Sequence, residues 1–261
     1  MKQNFNLQTV VLIGSGNVAG HLAKAMSEAG LAVVQVFSPH IDHARELATG
    51  LGAEAINNYS EITTDAGFYL ISVPDGKIAA VAAGMPLVRG IVCHTAAITP
   101  IQILEKFQYY GIFYPFQTFS KNREVDMLSV PFCLEASSPD VLDALQLLAG
   151  KLSESVYVMD LEQRGKLHVA GVLVNNFTNH LFASAEDFLN ENGMDAAMLL
   201  PLVRETVTKI LELAPDEAQT GPARRGDIST IEKHLDILKN KNDLKEIYQI
   251  FSQQILKKYH E

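Results

Sequence analysis

An α/β fold, a doubly wound and mostly parallel sheet followed by an all-α region, is predicted by three features of the chain. Up to about residue 115, short runs of branched apolar residues alternate with helix-period segments, the mark of βα units. Past Asp160 the pattern is almost wholly helical. The seam between the first strand and the first helix carries two glycines, Gly14 and Gly16, at the spacing of a tight turn.

Each element has its own warrant. "TVVLIG" (9–14) reads as a buried strand, since apolar residues fill both of its faces. From Asn17 to Ala29, Val18, Leu22, Ala25, Met26 and Ala29 recur at helical spacing, and Gly30 stands where the helix must stop. "LAVVQVFS" (31–38) is the second strand and His40–Leu51 the second helix. "GFYLISVPD" (67–75) and "GIVCHTA" (90–96) are further strands flanking a helix near 76–85. "GIFYPFQTF" (111–119), "VPFCLEA" (130–136) and "ESVYVMD" (154–160) extend the sheet, with a helix near 139–152. One long helix then runs from about Leu161 to Asn190, closed by Gly193. Shorter ones follow near 195–213, 228–240 and 243–259, with the non-helical insert "TGPARRGD" (220–227) between the first two of these.

A chain of 261 residues suits two domains, here a dinucleotide-binding region 1–160 and a helical region 161–261 for substrate and dimer contacts. The net charge of −9, with no basic patch, argues against a nucleic-acid partner. No apolar run is long enough to span a bilayer, and the N-terminus lacks the features of a secretory signal. Cys93 and Cys133 lie inside apolar strands, where buried free thiols are expected, and a cytoplasmic location follows. Along the long helix Leu167, Val174, Leu181 and Phe188 recur at heptad spacing beside Ala170 and Phe177, a seam for an internal core or a homodimer.

The seam "GSGNVA" (14–19) is built for a phosphate. Gly14 makes the turn, Gly16 lets a pyrophosphate approach the backbone, and Ala19 allows the helix to pack close. Ser15, Asn17 and Val18 complete the cradle, their amides lying at a helix N-terminus. The second strand ends at Ser38-Pro39-His40 without the acidic residue that would hold a ribose 2′-hydroxyl. A 2′-phosphate on Ser38 and His40 therefore favours NADP, with NAD as the alternative, and weakens an adenosylmethionine site. Val73, Pro74, His94 and Thr95 sit at two further strand ends, where the nicotinamide side of the cleft is expected. No metal site is expected.

In "KLHVAGVLVNNFTNHLF" (166–182), at about 100° per residue, His168, Gly171, Asn175 and Asn179 fall along one stripe. His168 is the candidate acid or base, Asn175 and Asn176 are candidate substrate-orienting groups, and Gly171 and Asn179 are candidate substrate contacts. A polar helix–helix contact is the alternative. In the 220–227 insert Arg225, beside Arg224, is a candidate anion contact and Asp227 a helix N-cap.

Together "GSGNVA", "SVPD" (72–75), "VCHTAA" (92–97), "YPFQTF" (114–119), the His168–"NNF" helix and "TGPARRGD" with His234-Leu235 resemble one family across nearly the full chain. It comprises Rossmann-like NADP oxidoreductases with a helical C-terminal domain of unknown function, distantly similar to pyrroline-5-carboxylate reductase and the 6-phosphogluconate dehydrogenase-like enzymes. The resemblance implies a dinucleotide-binding domain, a helical domain that commonly dimerises, and a cleft between them. Two departures stand out: Pro39 where members often carry Arg, and His94-Thr95-Ala96-Ala97 where an "HTSG"-like stretch is usual. The expected function is hydride transfer between NADP and a small carbonyl or imine compound. The alternatives are a non-catalytic nucleotide sensor or scaffold and a deazaflavin-dependent NADP reductase.

Overall fold

A computed structural model describes residues 5–261. Eight strands form one sheet in the order β3-β2-β1-β4-β5-β6-β7-β8. They are β1 (Thr9–Ile13), β2 (Ala32–Phe37), β3 (Glu54–Ile56), β4 (Phe68–Ile71), β5 (Ile91–His94), β6 (Tyr110–Pro115), β7 (Phe132–Ala136) and β8 (Val156–Val158). Every pairing is parallel except β6 with β7. The expected Rossmann-like architecture is therefore present. β3 was not foreseen, since its three residues are too few for a period to register.

Helices α1 (Asn17–Glu28), α2 (Ile41–Thr49), α3 (Ile78–Gly84) and α4 (Pro139–Ala149) cover the sheet. β1 shows why. Val10 and Leu12 point to one face with Leu22 and Met26 of α1 and Leu145 of α4, while Val11 and Ile13 point to the other with Ile78 and Val81 of α3. A strand buried on both faces must be apolar throughout, which is what "VVLI" supplies. Gly30, at φ +81°, ends α1 as expected. Cys93 and Cys133 are buried free thiols.

After β8 the described chain is helical: α5 (Leu161–Gly171), α6 (Thr178–Glu191), α7 (Leu200–Glu212), α8 (Pro215–Ala218), α9 (Pro222–Arg225), α10 (Ile228–Ile237) and α11 (Asn242–His260). α9 corrects the reading of 220–227 as non-helical: Pro222 pre-sets the first turn and Gly226, in the left-handed region, ends it. The single long helix expected from Leu161 is α5 and α6 joined by a π-helical stretch, Val172–Phe177. The chain forms two compact units, one ending at Asn175 and the other Asn176–Glu261. No helix among the described residues is long and apolar enough to cross a membrane.

Candidate functional site

The chain passes outward from β1 through β2 to β3, then returns to β4 on the other side of β1. In such sheets the crevice beyond the carboxyl ends at this reversal receives ligands. Gly14 sits there at φ +120°, and a Cβ built on it would lie 2.1 Å from the carbonyl oxygen of Ser72, just past β4. Its amide donates to Phe37 O at 2.9 Å, tying the turn to β2. Gly16 is the opposite case, with extended backbone and nothing within 4 Å of an added Cβ. The fold does not need this glycine, whereas a ligand lying against the backbone would. No side chain caps α1, and its first amides have no partner within the helix. Ala19 is fully buried and Val18 packs on the core, so Val18 can offer a ligand its amide only. The cradle thus fits a dinucleotide pyrophosphate.

Over the outer side of this turn passes the segment 117–130, which links β6 to β7 and is closed at its base by Phe116 N–H donating to Pro131 O at 2.8 Å. Asn17 Nδ2 donates to Phe119 O and His21 Nε2 to Ser120 O, both at 3.1 Å. Lys24 pairs with Glu124 and Lys121 with Glu46. Between the segment, α1 and α2 lies a cavity of about 1030 Å³ whose walls include Ser15, Gly16, Asn17, His43 and Lys121. At the end of β2, Ser38 is buried and its Oγ accepts from the His40 amide at 3.3 Å, leaving its hydroxyl proton free to donate. The exposed His40 ring lies 5.4 Å from that of His43.

At the other strand ends, Val73 is half-buried, Pro74 exposed, and Thr95 Oγ1 lies 3.5 Å from Ser72 Oγ. His94 departs from its expected place on the cleft surface. Its side chain is 0% exposed, Nδ1 accepts from the Ala96 amide at 3.1 Å, and Nε2 has no partner of hydrogen-bonding geometry. Burial pushes its pKa down to about 4, helped by the Arg164 charge, with the nearby Pro100 carbonyl offsetting part of the effect. The unfolded chain takes up this proton near 6.5 and the folded chain resists it until about 4. Stability from this site is therefore full above pH 7 and falls as pH drops from about 6.5 to 4, by about 3 kcal/mol. Urea titrations across that range should show the loss, and His94→Asn should flatten it.

α5 starts at a capping box formed by Asp160 and Gln163. In its first turn Arg164, 0% exposed, pairs with Glu135 and donates to Met159 O (3.1 Å), Ala97 O (3.3 Å) and Thr99 O (3.5 Å). One turn later His168 is half-buried, with Nδ1 3.2 Å from the hydroxyl of Tyr114 on β6. Burial pushes Tyr114 up to about 12, with smaller contributions from Cys133 and Asp75. Gly171 corrects its expected role. A Cβ there would lie 2.7 Å from Phe116 Cε2, so the gap is filled by that ring and admits no substrate.

The amides differ from expectation as well. Asn175, Asn176 and Asn179 are exposed. The π-helical stretch also adds residues per turn, which rotates everything after Gly171 out of a stripe drawn at 3.6 residues per turn. In the second unit Arg225 is exposed and Arg224 lies 4.1 Å over the Tyr259 ring. Asp227 caps α10 as expected, accepting from the Thr230 amide at 3.1 Å. His234 Nδ1 lies 2.7 Å from Tyr248 Oη.

Comparison with known proteins finds matches over both the sheet region and the helical region. Residues 9–97 match the family described as NADP oxidoreductase, coenzyme F420-dependent, and residues 130–255 match a domain of unknown function, DUF2520. A crystal structure of a "putative NADP oxidoreductase" from Bacteroides fragilis is 40% identical, over 96% of this chain and 98% of that one, with a TM-score of 0.89. The chain belongs to the same NADP oxidoreductase family as that protein. Two further structures share its fold: protein TM1727 from Thermotoga maritima and 1-pyrroline-5-carboxylate reductase from Streptococcus pyogenes. The first is 20% identical (TM-score 0.79; 95% and 99% coverage) and the second 14% identical (TM-score 0.65; 95% and 98% coverage). No curated protein matches the chain.

Within this oxidoreductase, sequence reasoning missed Tyr114 and Arg164. Tyr114 falls inside "YPFQTF" with no local mark of a role, and Arg164 looks like one more charge on an exposed helix start.

Proposed function

We infer that this chain is an NADP-dependent reductase or dehydrogenase acting on a small carbonyl or imine compound. The observation that carries the reading is Gly16, whose open face the fold itself does not require. Bound, the dinucleotide would give or take a hydride, two electrons with one proton. The remaining proton then falls to the chain. His168 is the residue for it, half-buried at the carboxyl end of β6, on the same edge of the sheet as the glycine turn. Asn175 and Asn176, exposed residues later in the sequence, would be the candidates to orient the substrate heteroatom, with Asn179 and Arg225 as further candidate polar contacts. Ser15, Gly16, Asn17 and Val18 would hold the pyrophosphate, Ser38 and His40 the 2′-phosphate, and Val73, Pro74 and Thr95 the nicotinamide side.

Residues 1–160 would form the dinucleotide domain and 161–261 the substrate and dimerisation domain. Val174 and Leu211 are 74% and 81% exposed, and Phe177, Met198 and Leu202 are exposed with them. Apolar area on that scale supports pairing with a second copy, which a monomer in sedimentation would disprove. The two buried free thiols suit the reducing cytoplasm.

NADPH should bind about tenfold more tightly than NADH, a difference of about 1.4 kcal/mol. Equal affinities in a fluorescence titration would remove the NADP assignment. With a panel of cyclic imines and small carbonyl compounds, His168→Ala should lower turnover about 10²- to 10⁴-fold while leaving NADPH affinity intact. A second reading draws on the family description of residues 9–97, with coenzyme F420 as the hydride partner. NADPH consumption that requires added F420 would favour it. NADPH binding with no turnover of any partner would mark a sensor.

A further inference from the structure

His168 is held on a part of the fold with little freedom. Behind it, the buried Arg164 bonds three carbonyls of the sheet edge and the carboxylate of Glu135. Ahead of it, the Phe116 ring fills the space where Gly171 lacks a side chain. α5 can therefore neither slide nor turn against the end of β6 without breaking one of these contacts. What is left is the ring's own rotation, and a half-turn about χ2 exchanges Nδ1 with Cδ2 and Nε2 with Cε1, turning both nitrogens away from their places.

The Tyr114 hydroxyl removes that last freedom, at 3.2 Å from Nδ1 and with the two rings 6.5 Å apart. We propose that Tyr114 is a positioning residue for His168: its hydroxyl donates to Nδ1, keeps the neutral ring protonated on Nε2, and so presents that N–H to the reacting heteroatom. Burial makes the phenol keep its proton at neutral pH, and a neutral phenol donates to an imidazole nitrogen more readily than it accepts from one. The proton step balances. As the hydride reaches the substrate carbon, the heteroatom takes the Nε2 proton and the Tyr114 proton moves to Nδ1; a solvent proton then returns to Nε2 as the Nδ1 proton goes back to the phenolate, so each turnover takes up one proton and restores the starting tautomer. The ring is neutral before the step and after the reset, and the alkoxide or amide anion being quenched is more basic than the phenolate formed.

This inference rests on the proposed role of His168, and the experiment separates the two. In the free protein labelled with ¹⁵N-histidine, the His168 Nδ1 resonance should carry the shift of a hydrogen-bonded acceptor and Nε2 that of a protonated nitrogen. Tyr114→Phe, which keeps the ring, should return Nδ1 to the value of an unbonded acceptor and populate the second tautomer. With NADPH and 1-pyrroline, or whichever panel compound turns over, the same variant should lower kcat about tenfold to hundredfold at unchanged KM. It should also turn a two-proton solvent inventory into a one-proton one. Unchanged His168 resonances in Tyr114→Phe would overturn the inference alone. Loss of dinucleotide affinity in step with kcat would overturn it too, as the mark of a merely structural tyrosine. Full turnover by His168→Ala would overturn both this inference and the reading beneath it.

Discussion

Gly14→Ala is expected to cost about 3 kcal/mol or more, lowering the melting temperature by about 10 °C, while Gly16→Ala leaves melting unchanged and weakens NADPH binding at least tenfold. Two glycines in one turn thus fail in different ways. At position 14 the backbone is at φ +120° and an added methyl would sit 2.1 Å from Ser72 O, so β1 and β4 must part at the reversal point of the sheet. At position 16 the backbone is extended and the space beyond it open, so alanine folds normally and projects only into whatever lies against the turn. Calorimetry on both variants, paired with an NADPH titration, checks the contrast. A Gly16→Ala protein that binds NADPH normally would remove the phosphate from this turn.

Arg164→Met should be about as damaging to stability as Gly14→Ala, by about 3–5 kcal/mol, for a different reason. The guanidinium is fully buried, and removing it strands the Glu135 carboxylate together with the carbonyls of Ala97, Thr99 and Met159. Leaving a charge without its partner costs more than the pair itself contributes. The double variant Arg164→Met/Glu135→Leu should therefore regain part of the loss, because only the carbonyls then stay unpaired. Urea unfolding of the two single variants and the double gives the coupling directly. Additive losses would mean that the ion pair is not what holds the first turn of α5 to the sheet.

These residues show where sequence reasoning reaches and where it stops. The glycine turn was legible because strand, turn and helix are contiguous and each carries its own period. Tyr114 was not, since its partner lies 54 residues away and nothing local marks a tyrosine in an apolar strand as polar-bonded. Gly171 was misread for the same reason: the Phe116 ring that fills its gap comes from a distant strand end. The stripe of amides failed on geometry, because a straight 3.6-residue period contains no signal for a π-helical stretch. His94 stands at a strand end, where a group lining the cleft is expected, yet it is fully buried, with Arg164 of α5 bonded to Ala97 O just past the same strand.

The reversal of direction between β6 and β7 has a consequence for how such a scaffold diversifies. Because the two strands are antiparallel, the connection 117–130 departs from and comes back to the same edge of the sheet, the edge on which Gly14 and Gly16 lie. Its base is pinned by the Phe116–Pro131 backbone hydrogen bond, its far end by Glu154 N–H donating to Leu128 O, and its middle rests on exposed side chains of α1 and α2. Insertions or deletions in its exposed stretch alter no strand register, so that part of the cavity wall can vary in length while Val130, and Phe119, Val125 and Met127 packed beside it, keep the segment seated on the core.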